Sequence, residues 1–150
     1  MAAVKTLNGS KLLVQIGDGA DPEVFVHDCL INTERSFSVQ KSTNSFAVID
    51  CDNPDDAAWV ERVADELSAA ISGSGMLHTT SLEAWFGYVT AGTSVNVRIL
   101  LNGVAAIDGG GHFAGAFQVT SLEVTGNRGE KTTVSVALEN DGAVTWVDAS

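Results

Sequence analysis

The chain has 150 residues and a formal net charge of −11, from 8 Lys and Arg against 19 Asp and Glu. That length suits one domain with a sizeable core, and the acid excess excludes a sequence-independent nucleic-acid binder, which needs clustered cations. No apolar run approaches the ~20 residues of a membrane span.

The opening MAAVKTLNGSK lacks the apolar stretch of a signal peptide, so none is expected. Cys29 and Cys51 have no metal-binding spacing, and the chain reads as a cytosolic product with free thiols. Residues 1–10 read as a mobile arm. Lys11–Ile16 places Leu12, Val14 and Ile16 on one parity, the mark of a strand. Gly17–Pro22 (GDGADP) is a turn. Glu23–Ile31 is apolar on both parities, as in a strand covered on both faces. Thr33–Gln40 sets Phe37 and Val39 inward with Arg35, and Ser36, Ser38 and Gln40 outward.

Segment 41–66 breaks the alternation. It opens polar, contains the short apolar piece Phe46–Ile49, and then turns acidic, with Asp50, Asp52, Asp55, Asp56, Glu61, Asp65 and Glu66 against Arg62 alone. Asn53-Pro54-Asp55-Asp56 has the form of a helix start, with a capping Asn, a proline in the first turn and acids near the positive end of the dipole. A turn or two of helix is expected through Trp59 and Val63. A connection this long inside one domain is functional or disordered. Phe46, Val48 and Ile49 would each forgo roughly 1.5–3 kcal/mol of burial in a free loop, which favours a partner surface.

Leu67–Leu77 returns to strand, with Leu67, Ala69 and Ile71 on one face and Gly73 and Gly75 marking close backbone approach. Thr80–Gly92 is the clearest helix. Thr80 and Glu83 have the spacing of a capping box, Leu82, Trp85, Phe86 and Val89 form one apolar stripe for the chain's own sheet, and Gly92 ends it. Ser94–Leu101 is a strand, and Asn102–Gly111 a loop.

The rest is strand. Phe113, Phe117 and Val119 share one parity and Leu122 and Val124 the other, so a bulge is expected near Thr120-Ser121. Gly126–Gly129 is a turn, Val134, Val136 and Leu138 mark the return strand, and Asn140-Asp141-Gly142 signals a hairpin into a short strand with Val144 and Trp146. These pieces predict a three-stranded meander. The whole reads as mainly β: a β-sandwich or partly closed β-barrel, with one α-helix packed on its side and a long loop.

Gly115–Thr125 (GAFQVTSLEVT), the glycine turn and Thr-rich strand after it, and the ending DGAVTW resemble the phage major tail tube proteins of long non-contractile tails and gene transfer agents. Ser68–Leu77 (SAAISGSGML) resembles the strand that precedes the helix and final strands in that family. The resemblance runs from about Lys11 to Trp146. It implies a structural protein of the virion tail, made in the bacterial host cytoplasm, whose subunits close edge to edge into six-membered rings that stack into a tube. It implies that Lys41–Ala58 reaches the neighbouring ring, with Lys41, Phe46, Val48, Ile49, Asp50 and Asp52 as contact residues. Glu123 and the loop acids are candidates to face the lumen. Implied partners are further copies of the chain, a tape-measure protein, a distal tail protein and a tail terminator. DNA passes through without specific binding.

Two rival readings are a tube protein like that of type VI secretion and a monomeric β-barrel carrier of a small ligand. Nothing points to catalysis or a cofactor. His27, His78 and His112 are scattered, without a second ligand at metal spacing. Gly109-Gly110-Gly111 lacks the Lys-Ser/Thr of a phosphate cradle. The acidic run Asp50–Asp56 lacks the order of a calcium loop, and neither cysteine sits in a nucleophile signature.

Overall fold

Alternation of apolar residues dominates the chain, and a computed structural model, which describes residues 3–18, 23–27 and 30–149, turns most of it into strand. The strands are Leu12–Gly17 (β1), Phe25–His27 (β2), Glu34–Val48 (β3), Trp59–Met76 (β4), Val95–Leu101 (β5), Gly111–Thr125 (β6), Thr133–Asn140 (β7) and Thr145–Asp148 (β8). Thr79–Thr90 is the one α-helix among the described residues (α1). All strands join one antiparallel sheet in the order β2-β1-β5-β6-β7-β4-β3, with β8 also on β6, and the sheet does not close into a barrel.

The sheet folds over itself. Val14 and Ile16 of β1 and Val97 and Ile99 of β5 share one core with Val134, Val136 and Leu138 of β7 and Ile71 of β4. Phe117 and Val119 of β6 lie between the two halves in strand order. Leu30 and Ile31 cross over this core from a non-strand segment. Their passage explains the glycines of β4: a Cβ on Gly73 would collide with the Ile31 side chain, and one on Gly75 with Asn32. Asn32 then acts as a substitute strand residue. Its Oδ1 accepts from Met76 N at 3.0 Å and its Nδ2 donates to Met76 O at 2.8 Å.

The expected bulge in β6 is present. The ladder with β7 skips Thr120 between Val119 and Ser121, so Leu122 returns to the core side opposite Val136. The expected meander is not. β8 pairs with β6, not β7, through Gly111↔Asp148 to Ala114↔Thr145. It continues the line of β7, because Asn140-Asp141-Gly142 makes an excursion rather than a reversal. Asp141 N donates to Ala116 O at 2.8 Å, Asn140 Nδ2 donates to Gly142 O at 3.0 Å, and Asn140 Oδ1 accepts from Ala69 N at 2.9 Å. Held on both sides, the chain resumes along β6 instead of turning back.

Two further expectations change. The strand over Glu23–Ile31 is only β2, at an edge of the sheet, plus the crossing segment, and Val24 and Val26 are exposed. Cys29 and part of the 17–22 turn lie outside the described residues, as do the first two of the 1–10 arm. The helix starts one residue before Thr80 and stops at Thr90. His78 stands at its N-cap without a side-chain cap bond, so the capping box does not form. Thr80 Oγ1 instead lies 2.6 Å from His78 Nε2. Of the stripe, Trp85 is fully buried and Leu82 and Val89 half-buried, but Phe86 is 61% exposed. Tyr88 takes its place against Trp85, edge to face at 5.7 Å. A short helix lying on a curved sheet buries a narrower arc than its periodicity offers.

Trp85 Nε1 is buried with no hydrogen-bond partner. Trp85→Ala should therefore cost about 3–5 kcal/mol in chemical denaturation, and Trp85→Phe roughly half of that, since it also removes the unpartnered donor. Phe86→Ala should change stability by less than about 0.5 kcal/mol; equal losses at Trp85 and Phe86 would place the helix on the wrong face.

Candidate functional site

The segment read as a long loop is the outer half of a hairpin. β3 and β4 pair from Glu34↔Ser74 to Val48↔Trp59, with one register shift between Ser42 and Thr43. The helical turn through Trp59 and Val63 does not form, because both residues lie in β4. Asn53-Pro54-Asp55-Asp56 is a tight turn, with Asp56 N donating to Asn53 O at 3.1 Å, and Asp52 N bonds Asp50 Oδ1 at 2.9 Å. Proline in the second position of such a turn has the same fixed φ that suits a helix start, which is why the two look alike in sequence.

The hairpin overhangs the sheet. β4 is paired with β7 only over Ala70–Met76. Among the described residues, no strand pairs its second edge from Trp59 to Ser68, a length of about 33 Å at roughly 3.3 Å per residue. The outer edge of β3 has no strand beside it at all. Large apolar side chains are exposed along this overhang: Val39, Phe46, Val48 and Ile49 from one arm, and Trp59 (89%), Val60, Val63 and Leu67 from the other. Where the hairpin leaves the sheet, an open cleft of about 370 Å³ is lined by Val39, Leu67, Ala69, Asn140 and Val144. Cys51 is an exposed free thiol in the terminal turn.

The sheet presents a second surface on the side away from the core. Cross-strand partners share a face, so β3, β4, β7 and β6 form three rows there. They are Glu34–Ser74–Ser135–Glu123, Ser36–Ser72–Ala137–Ser121 and Ser38–Ala70–Glu139–Gln118. Ser42 and Glu66 extend the same face up the hairpin. Its charges are all negative: Glu34, Glu66, Glu123 and Glu139. Sequence reasoning named Glu123 and, among the acids of segment 41–66, Glu66. Glu34 and Glu139 needed the strand register, which assigns each residue a face.

The expected contact residues Lys41, Phe46, Val48, Ile49, Asp50 and Asp52 thus come together on one exposed arm and its turn, while Glu123 sits apart on the polar face. Trp59, Val63 and Leu67 were not among them. Among the described residues, no three His, Cys, Asp or Glu gather as a metal group, and no helix is long and apolar enough to cross a membrane. His112 is held below the ordinary histidine value, first by partial burial and then by the Arg98 charge. Arg98 itself lies over the Phe25 ring at 3.9 Å.

The chain matches the family described as "Phage tail tube protein" over residues 6–146. No curated protein matches it. Its fold is similar to that of a chain in the virion of a native gene transfer agent particle, at 18% identity and a TM-score of 0.73, covering 95% of this chain and 99% of that one. A chain in the tail of an empty gene transfer agent particle, refined helically with C6 symmetry, gives 19% identity, a TM-score of 0.74 and the same coverage. The SPP1 tail tube gives 9% identity and a TM-score of 0.61, covering 96% of this chain and 80% of that one.

Because Phe46 and Trp59 stand off the body of the chain, Phe46→Ser and Trp59→Ser should each shift the unfolding free energy of the dispersed chain by less than about 0.5 kcal/mol. Denaturant titration checks this, and losses above about 1 kcal/mol would mean that the arm packs on its own sheet.

Proposed function

The chain belongs to the phage tail tube protein family, and from that premise we propose that its copies join edge to edge into six-membered rings, which stack into the tube of a phage or phage-like tail through which DNA leaves the particle. It is a structural protein and not an enzyme. The observation that carries the reading is the overhanging hairpin, with its open edges and exposed apolar side chains. An unpaired strand edge is a template for another chain. Within a ring each such edge meets the next copy, and closure removes it. Stacking repeats a second contact that does not close, so the assembly grows along one axis. Lys41, Phe46, Val48, Ile49, Asp50 and Asp52 belong to that second contact.

The glutamate-bearing polar face is the lining of the bore. Ser, Thr and Ala offer DNA small, uncharged surface with no strong donor for phosphate. Glu34, Glu66, Glu123 and Glu139 repel it within a screening length of about 8–10 Å at physiological salt. The same bore admits a tape-measure protein during assembly, and a distal tail protein and a terminator close the two ends of the tube.

Two experiments test this. Concentrated protein imaged by negative stain should form rings and tubes. Removing residues 43–65 and closing the Ser42↔Glu66 pair with Asn-Gly, a tight hairpin connection, should leave the fold intact and abolish tubes. Equal tubes from both proteins would detach the hairpin from assembly. In a filter-retention assay at ~0.15 M salt, a concentration at which charges are screened beyond about 8 Å, assembled protein should retain no DNA. Glu34→Lys with Glu123→Lys should produce retention that weakens as salt rises. Tight retention by the unaltered protein would rule out an acidic bore.

A further inference from the structure

The apolar side chains of the hairpin do not follow one rule along its length. In β3, Phe37 and Val39 are odd-numbered, whereas Phe46 and Val48 are even-numbered. In β4, Ile71, Leu67, Val63 and Trp59 are all odd-numbered. An unbroken ladder would therefore put the outer apolar residues of the two arms on opposite faces of the ribbon. The ladder is broken. Ser42 pairs with Glu66 and Thr43 with Ala64, so Asp65 is an extra residue in β4. Inside the break, Phe37 pairs with Ile71 and Lys41 with Leu67, on the face that continues the core. Beyond it, Asn44 pairs with Val63, Phe46 with Glu61 and Val48 with Trp59, all on the other face. The bulge moves Trp59 and Val63 off the face used at the hairpin's base and onto the one that Phe46 and Val48 already occupy.

This outer face is rimmed by acids: Glu61 within it, and Asp50, Asp52, Asp55 and Asp56 in the exposed terminal turn. The opposite end of the same ribbon lies at Met76↔Thr133↔Thr125. There the β6–β7 turn, 126–132, carries Arg128 and Lys131, both exposed, with Glu130 between them. Met76 (58% exposed) and Val124 (45% exposed) flank that turn on the two sides of the sheet. One end of the ribbon thus offers apolar surface ringed by negative charge, and the other offers apolar surface beside positive charge. Such ends are complementary head to tail, and a head-to-tail contact is open, so it repeats.

We propose that the face shared by Phe46, Val48, Trp59 and Val63 meets a second copy of this chain in the adjacent tier, seated on the end that carries Arg128 and Lys131. The inference rests on the tail tube reading and adds to it the acceptor surface and the hairpin face that meets it.

The test uses the full chain, scored by negative stain and by the pelletable fraction. Inserting one threonine between Ser42 and Thr43 gives Asp65 a partner. Every pair in the outer half is kept, but the whole outer half is rotated onto the other face. This variant should keep its circular dichroism and thermal midpoint, form rings, and lose pelletable tubes by more than about tenfold, a factor worth ~1.4 kcal/mol of contact. Deleting Asp65 removes the bulge yet leaves each outer side chain on its present face, so this variant should still form tubes. Arg128→Glu with Lys131→Glu should lose tubes to a similar extent and regain them on adding Asp52→Lys and Asp55→Lys. Tubes from the insertion variant, or loss of tubes on Asp65 deletion, would overturn the role of that face. Tubes from the Arg128/Lys131 variant, or failure of the charge swap to rescue it, would overturn the acceptor. If the unaltered chain never forms tubes while remaining folded, the tail tube reading itself falls and this contact with it.

Discussion

The two arms of the long hairpin outrun the strand that supports them, and the remaining architecture answers to that mismatch. A β-ribbon of two strands is marginal on its own in water. Here its inner third is anchored by β7 on one side and by the crossing of Leu30, Ile31 and Asn32 over β4. Its outer part has neither support. Fifteen residues of β3 hold their ladder to β4 while, among the described residues, no strand pairs their other edge. Soluble proteins normally blunt such edges with charge, proline or a cover. This hairpin carries its proline and four aspartates in the terminal turn and leaves exposed apolar residues among the charges along the arms.

The body of the molecule is built so that the overhang does not destabilise it. The core draws on both halves of the folded sheet and on Trp85 of the helix, and none of its members comes from the outer half of the hairpin. Substitutions there are therefore free to serve contacts with other chains without passing through the folding equilibrium. Loss of conformational freedom in the arms, about 1–2 kcal/mol per residue for backbone alone, is offset in part by the ladder hydrogen bonds. In the proposed assembly, burial against a neighbour offsets the rest.

Charge is distributed along the same lines. The net −11 is not a uniform coat. Four glutamates stand on one polar face of the sheet, and four aspartates crowd a single turn. Arg128 and Lys131 sit at the far end of the ribbon. An even distribution would repel copies from every direction, whereas this one leaves specific approaches open. Surface pairs contribute little within the chain itself. The ion pair between Lys5 and Asp108, 3.6 Å apart and well exposed, is of the kind worth about 0–1 kcal/mol.

Much of this was legible in the residues. Apolar parity marked the strands, and the change of parity between Val119 and Leu122 located the β6 bulge, because a core face must stay apolar across it. Gly73 and Gly75 announced the close approach that Ile31 and Asn32 make. The resemblance in Gly115–Thr125 and DGAVTW carried the family. Local signals failed where two structures share one chemistry. Asn53-Pro54 suits a turn as well as a helix start, and Asn140-Asp141-Gly142 suits an excursion as well as a reversal. Only bonds to Ala69 and Ala116, distant in sequence, decide the second case. Phe86 has the right helical spacing, yet the curvature of the sheet selects Tyr88. The hairpin arms were missed because strands covered by neither core nor sheet carry no single apolar face. Their pattern becomes coherent only when β3 and β4 are set side by side with Asp65 left over. By itself, then, the sequence determined the strand-forming periodicity, the core and the family, since these follow from local alternation and a continuous chain match. Tertiary structure alone decided which face each residue occupies, which strand β8 joins and where the hairpin points, because those depend on register between segments that the chain order leaves unspecified.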